Sequence, residues 1–309
     1  MNFARRNGTQ HCTVIFLCLT GSPEVSAAVA ALKPGLARGA VIVDCSTSDP
    51  TVSVRLAAEL AEIGVDFVDA PLSRTPKEAW AGTLDCMVGA TDAVFARVQP
   101  IIATWAAKIV HIGGVGDGHK MKLLNNFLSL GYAALYAEAL ALSRKVGIPV
   151  VEFDKVIRGG RMDCGFYQTF MGYALDGNRE AHRFTIGNAY KDMRYVESMA
   201  NAATMATPMA SAVKSAFALA MATGGNGPEN YVPHLTDFIN KSAGIACRSA
   251  IDKSWHLGWR AKKGSPVFGK KRCYIKKVKH PSCFNENTWC FWGGAIALCR
   301  KSPPSPATP

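Results

Sequence analysis

The chain contains no run of about 18 apolar residues free of charge, the minimum for a helix that crosses a bilayer, so no membrane span is expected. It also lacks a C-x-x-C pair. Cys247, Cys273, Cys283, Cys290 and Cys299 crowd the C-terminal segment, but their spacing matches no compact zinc module even with His256 or His280 counted, and no metal is expected. The other five cysteines (Cys12, Cys18, Cys45, Cys86 and Cys164) are scattered through strand- and helix-like segments, as reduced thiols in a cytoplasmic protein would be. Acidic residues are scarce in one place only. Residues 1–240 hold 21 Lys/Arg and 21 Asp/Glu, whereas residues 241–309 hold 14 basic residues against Asp252 and Glu286. The net charge of +12 is therefore a property of the tail, the remainder is electrically neutral, and nucleic acid is not the expected partner. A secretory leader is poorly supported. Arg5 and Arg6 precede the apolar run Val14–Thr20, and Ala28-Val29-Ala30 resembles a cleavage site. That run is only about seven residues long, at the lower limit for a leader, and Pro23-Glu24 interrupt the approach. It reads better as a buried parallel strand.

What is present alternates strand and helix. Strands are expected at Thr13–Thr20, Ala40–Asp44, Phe67–Ala70, Leu84–Val88 and Lys108–Ile112. Helices are expected at Pro23–Leu32, at Thr51–Ile63 with Asp49 as N-cap, and at Ala93–Trp105. This predicts an α/β sheet that is at least partly parallel. After Ile112 the pattern becomes helical: one long run from His119 to Val146, ended by Gly147-Ile148-Pro149, then Val151–Arg158, Asp192–Ala202, Pro208–Thr223 and Val232–Asn240. The expected organisation is a sheet domain over 1–112, an all-helical domain over 113–240 joined through the long helix, and a basic, Cys- and Trp-rich tail over 241–309. The tail has no clean periodicity, and despite clusters such as Lys270-Lys271-Arg272 it reads as a disordered or unrelated extension.

The strongest local signal is the segment Gly116-Asp117-Gly118-His119-Lys120-Met121-Lys122-Leu123-Leu124-Asn125-Asn126, where a strand ends and the long helix begins. Glycines let a backbone pass close to a ligand, and a helix N-terminus favours an anion. Lys122 and Asn126 are four apart and share a helical face. A lysine beside a cleft can exchange a proton if desolvation lowers its pKa.

The pattern G-x-G-x-x-x-K-x-x-x-N resembles the catalytic motif of the β-hydroxyacid dehydrogenase family. Three further segments agree in order: Asp44-Cys45-Ser46-Thr47 with D-x-S-T, Asp69-Ala70-Pro71-Leu72-Ser73 with D-A-P-x-S, and Lys191-Asp192 with the family's K-D pair. The resemblance implies a Rossmann-type sheet domain, NAD or NADP as cofactor, a small carboxylate substrate with a β-hydroxyl, and a homo-oligomer. It implies that Lys122 is the general acid/base and that Asn126 orients it. Ser73, Arg74, Thr75, Gly118 and Lys191 would face the substrate, and Leu19, Thr20, Ser46, Thr47 and Lys191 the cofactor.

Two departures stand out. The family carries two glycines after the serine of D-A-P-x-S, where this chain has Arg74-Thr75, and an arginine there could clamp a second acidic group. The family also opens with a strand, a G-x-G-x-x-G turn and two further strand–helix units, for which this chain has about a dozen residues and no such turn. From this one expects an open sheet edge, a partial Rossmann-type domain, and as the rival reading a non-catalytic remnant that dimerises through its helices.

Overall fold

The computed structural model describes residues 12–245 together with the strand backbones of 287–292 and 295–300. Three short apolar runs form parallel strands β1 (Val14–Leu17), β2 (Val41–Asp44) and β3 (Asp66–Asp69), in register Val14↔Val41↔Asp66. Each is buried on both faces, which is why apolar residues run continuously instead of alternating with polar ones. The side-chain period of two still sorts them into two cores. Ile15, Leu17, Ile42 and Phe67 pack against Val25, Val29 and Leu32 of α1 (Ser22–Leu32) and Leu56 and Leu60 of α2 (Pro50–Ala61). Phe16, Val41, Val43 and Val68 pack on the opposite face against Val94, Val98 and Ile102 of α4 (Asp92–Ile102).

The sheet is mixed. After β3 the chain turns through β4 (Leu72–Ser73) and the six-residue α3 (Pro76–Ala81), then returns as β5 (Leu84–Gly89), antiparallel to β3 and β4. The link from β4 to β5, residues 74–83, is shorter than a parallel crossover ordinarily takes, which favours the antiparallel return. That crossover comes next, as α4, and β6 (Ala106–Gly113) is accordingly parallel to β5. The edge beside β1, expected to be open, is paired. From the tail, β7 (Asn287–Trp292) and β8 (Ala295–Arg300) form a hairpin whose β8 runs antiparallel to β1, with Val14 opposite Leu298. Main-chain hydrogen bonding closes an edge whatever the side-chain pattern, so the lack of periodicity gave no sign of these strands.

From β6 to residue 245 the chain is helical: α5 (Asp117–Lys145), α6 (Val150–Ile157), α7 (Gly165–Ala174), α8 (Ile186–Ala202), α9 (Pro208–Ala220) and α10 (Leu235–Ser242). Leu123, Leu130, Ala133, Ala137 and Leu140 of α5 are the spine of this core, with Tyr167, Phe170, Met193, Val196 and Phe217 packed around them. Among the described residues no helix is long and apolar enough to cross a membrane. Cys18, Cys45, Cys86 and Cys164 are free thiols. Cys12 is disulfide-bonded, which corrects the expectation of a thiol there.

Candidate active site

The site is built where α5 begins. Gly116 has φ 96°, a left-handed conformation that a side chain resists. A Cβ on Gly118 would lie 2.5 Å from the Met87 carbonyl oxygen and 2.9 Å from that of Asp69, so glycine lets the helix abut β3 and β5. The N-cap of α5 makes no side-chain cap bond. Its free amides are met by Asp69 at the end of β3, whose Oδ1 accepts from Gly116 N and Oδ2 from His119 N, both at 2.7 Å. Burial pushes the pKa of this carboxyl up, against the opposing pull of His119 and those amides. Asp69 is the first residue of the D-A-P-x-S segment, and its capping role was not foreseen from the sequence.

One turn into α5, Lys122 and Asn126 are 9% and 5% exposed. Asn126 Nδ2 donates to Asp192 Oδ2 at 2.7 Å. The other carboxylate oxygen of Asp192 lies 3.1 Å from Lys191 Nζ, an ion pair not aligned as a hydrogen bond. Lys191 Nζ also donates to the Thr20 carbonyl at 2.6 Å and the Thr47 carbonyl at 3.0 Å, and it stands 5.4 Å from the centre of the Tyr195 ring. An α8 lysine thus reaches the C-terminal ends of β1 and β2, where ligands of open α/β sheets bind. Burial lowers the pKa of Lys122, the Asp192 carboxylate opposes that shift and Lys191 reinforces it. Burial raises the pKa of Asp192 in turn. His182, which sequence reasoning passed over, has its pKa lowered by burial and then by the charge of Lys122. Its ring meets Phe166 edge-on at 5.3 Å.

The remaining expected residues divide into two groups. Leu19 N donates to Ser46 Oγ at 2.9 Å, which joins the ends of β1 and β2. A cavity of about 620 Å³ opens beside them, lined by Thr20, Ser22, Asp49, Asn188, Lys191 and Tyr195 among others. The structure therefore gathers Lys122, Asn126, Lys191, Leu19, Thr20, Ser46 and Thr47 around one junction. Ser73, Arg74 and Thr75 occupy the β4–α3 turn instead. Arg74 has φ 88° and donates from Nε to Asp85 Oδ1 at 2.9 Å, while Thr75 caps α3 in a capping box with Glu78. Arg74 is thus engaged by β5 and Thr75 by the first turn of α3. No group of His, Cys, Asp and Glu able to hold a metal occurs among the described residues.

Comparison with known proteins matches two stretches. Residues 4–113 fit the NAD binding domain of 6-phosphogluconate dehydrogenase, and residues 116–231 fit the NAD-binding domain of NADP-dependent 3-hydroxyisobutyrate dehydrogenase. The 3-sulfolactaldehyde reductase of Escherichia coli (strain K12) is 30% identical over 214 residues, covering 69% of this chain and 71% of the reductase. The chain belongs to the β-hydroxyacid dehydrogenase family. Another member, the 2-(hydroxymethyl)glutarate dehydrogenase of Eubacterium barkeri, is 42% identical over 119 residues, 38% of this chain and 40% of that enzyme. The fold agrees with that of Mycobacterium tuberculosis 3-hydroxyisobutyrate dehydrogenase, solved with L-serine, at a TM-score of 0.66 and 24% identity, over 73% of this chain and 80% of that one. The two family matches meet just ahead of α5, and the segment Gly116–Asn126 opens the second.

Proposed function

We propose that the chain is an NAD(P)-dependent oxidoreductase that interconverts the CH–OH and carbonyl forms of a small β-hydroxyacid, with Lys122 as general acid/base. The observation that carries this reading is Lys122 itself. It is nine-tenths buried on the face of α5 that carries Asn126, and its pKa is lowered by burial. A lysine so placed can take the substrate hydroxyl proton in oxidation and return it in reduction. Asn126, held by Asp192, keeps that face of α5 in register with α8. Ser73, Arg74, Thr75 and Gly118 are proposed to flank the substrate carboxylate, and Lys191 to sit between substrate and cofactor.

The cavity beside the ends of β1 and β2, lined by Thr20 and Lys191 among others, lies where open α/β sheets hold their ligands and supports a nicotinamide cofactor there; Leu19, Ser46 and Thr47 are proposed to contact it with them. When bound, that group supplies the hydride acceptor or donor. The chain's own residues orient the reacting carbon and move the proton. The domain limits 1–112, 113–240 and 241–309, a cytoplasmic location and a homo-oligomer belong to the same proposal. One observation favours the rival reading, a non-catalytic remnant. Where the sheet continues past β1, its neighbour is the antiparallel β8, and no G-x-G-x-x-G turn follows a parallel strand among the described residues.

Fluorescence titration of NADH and of NADPH against the full chain separates the two. The proposal expects a Kd below roughly 100 μM, about −5.5 kcal/mol. It then expects turnover of a β-hydroxyacid that falls by about 10²- to 10⁴-fold in Lys122→Ala. A folded sample that binds neither dinucleotide overturns it.

A further inference from the structure

His119 is completely buried. A polar ring in such a place must be satisfied by hydrogen bonds. Its Nε2 lies 3.0 Å from the Ser46 carbonyl oxygen and its Nδ1 2.8 Å from Ser53 Oγ, while its backbone amide donates to Asp69 Oδ2. Asp44 Oδ2 and Asp69 Oδ2 each stand 3.8 Å from the ring. A carbonyl oxygen only accepts, so Nε2 carries a proton, while Nδ1 at 2.8 Å and the Asp49 carbonyl at 3.4 Å compete for the Ser53 hydroxyl proton.

We propose that His119 is a positioning residue that fixes the cofactor-facing ends of β1 and β2 to the helix carrying Lys122. The inference rests on the cofactor reading above. His119 stands on α5, Ser46 follows β2 and Ser53 lies on α2, so the ring joins three elements. The connection continues beyond it. Ser46 N donates to Asp44 Oδ1 at 2.9 Å, Asp44 Oδ2 accepts from Ser48 Oγ at 2.9 Å, and Ser46 Oγ accepts from Leu19 N. A displacement of α5 is thereby passed to Leu19 and Ser46 through two hydrogen bonds. Lys122 is three residues further along the same helix, on the neighbouring turn. Hydride transfer requires donor and acceptor carbons held in near-attack geometry. The ring sets the distance between the segment that would hold one and the helix that bears the acid/base for the other.

The test measures NADH affinity by fluorescence, with melting temperature alongside, for the wild-type chain, His119→Asn and His119→Gln. Asparagine places its polar atoms at the depth of Nδ1 and leaves the Ser46 carbonyl unmet. Glutamine reaches the depth of Nε2 with an N–H. The expected result is a Kd raised about tenfold in His119→Asn, the worth of one buried hydrogen bond, and returned to within about threefold of wild type in His119→Gln. Equal weakening in both variants, weakening that merely follows melting temperature, or no weakening in either overturns the proposal. If neither variant folds, the tautomer decides the matter. Two-bond ¹H–¹⁵N spectra of the wild-type imidazole should show the proton on Nε2 and a shift of that resonance when NADH is added. No proton on Nε2, or no shift with NADH bound, overturns it. A wild-type chain that binds neither dinucleotide is a different result, and overturns the cofactor reading itself.

Discussion

Burial does more than any neighbour to lower the pKa of Lys122 from the ordinary 10.5. Removing an ammonium from water disfavours the charged form, and the like charge of Lys191 adds to the effect while Asp192 works against it. The signs of a pH profile follow. A base must be deprotonated to accept the hydroxyl proton, so kcat for oxidation should rise with pH through the lowered pKa. A proton donor must be charged, so kcat for reduction should fall across the same range. Lys191→Met removes a repelling charge and should move that limb to higher pH. Asp192→Asn removes an attracting one and should move it to lower pH. Profiles of kcat in both directions check this, and a limb that stays put in both variants would assign it to another group. Arg74 poses a simpler residue-scale question. At φ 88° it occupies backbone that glycine adopts freely. Arg74→Gly and Arg74→Ala both lose the contact with Asp85, but only glycine relieves the strain, so Arg74→Gly should melt a few degrees above Arg74→Ala in thermal unfolding.

At the scale of elements, the start of α5 concentrates the constraints. Gly118→Ala would press a methyl group against the carbonyls of Met87 and Asp69. These are backbone atoms and cannot swing aside, so the helix must retreat from the sheet. The expected cost is about 1–3 kcal/mol in urea unfolding. The expected loss in kcat is larger than that stability change suggests, because Lys122 moves with the helix and misplacement by about 1 Å can cost about 100-fold. Unchanged kcat in a destabilised Gly118→Ala would place the acid/base elsewhere. The same helix marks the limit of what sequence reveals. That Gly116, Gly118, Lys122 and Asn126 belong to one turn-and-helix segment was legible from their spacing, whereas the roles proposed for them come from the family resemblance. The cap from Asp69 was not, because it comes from 47 residues away along the chain. Neither was α7, whose Gly165–Ala174 run is rich in aromatic residues of weak helix propensity, nor the start of α8 at Ile186, which passes through Gly187 and Asn188. The direction of β5 escaped for a different reason. It depends on how short the β4–α3 connection is in space, and alternation of hydrophobic residues does not encode that.

At the scale of the molecule, β8 covers the sheet edge at β1 that the sequence predicts to be open, and the surface left over is a ridge on α5. Met121, Leu124, Leu128, Tyr132, Leu135, Leu142 and Val146 recur at intervals of three, four or seven along the face turned away from the helical core, and each is more than 40% exposed. The spacing that puts Leu123, Leu130, Ala137 and Leu140 inside puts these outside, so they form one continuous apolar stripe along a 29-residue helix. A stripe of that length in water favours association, and when the partner is a second copy the contact can close with two-fold symmetry. The homo-oligomer proposed above would use it. Light scattering coupled to size exclusion should then give wild type a multiple of 33.1 kDa. Leu128→Glu combined with Leu135→Glu should reduce it to the single-chain mass while the far-ultraviolet circular dichroism stays the same. Both positions are exposed and touch neither core, so loss of helicity in the double variant is not expected. A wild-type chain that runs at its single mass would remove the oligomer and leave the stripe without a partner. A double variant that keeps the wild-type mass would move the interface to another face.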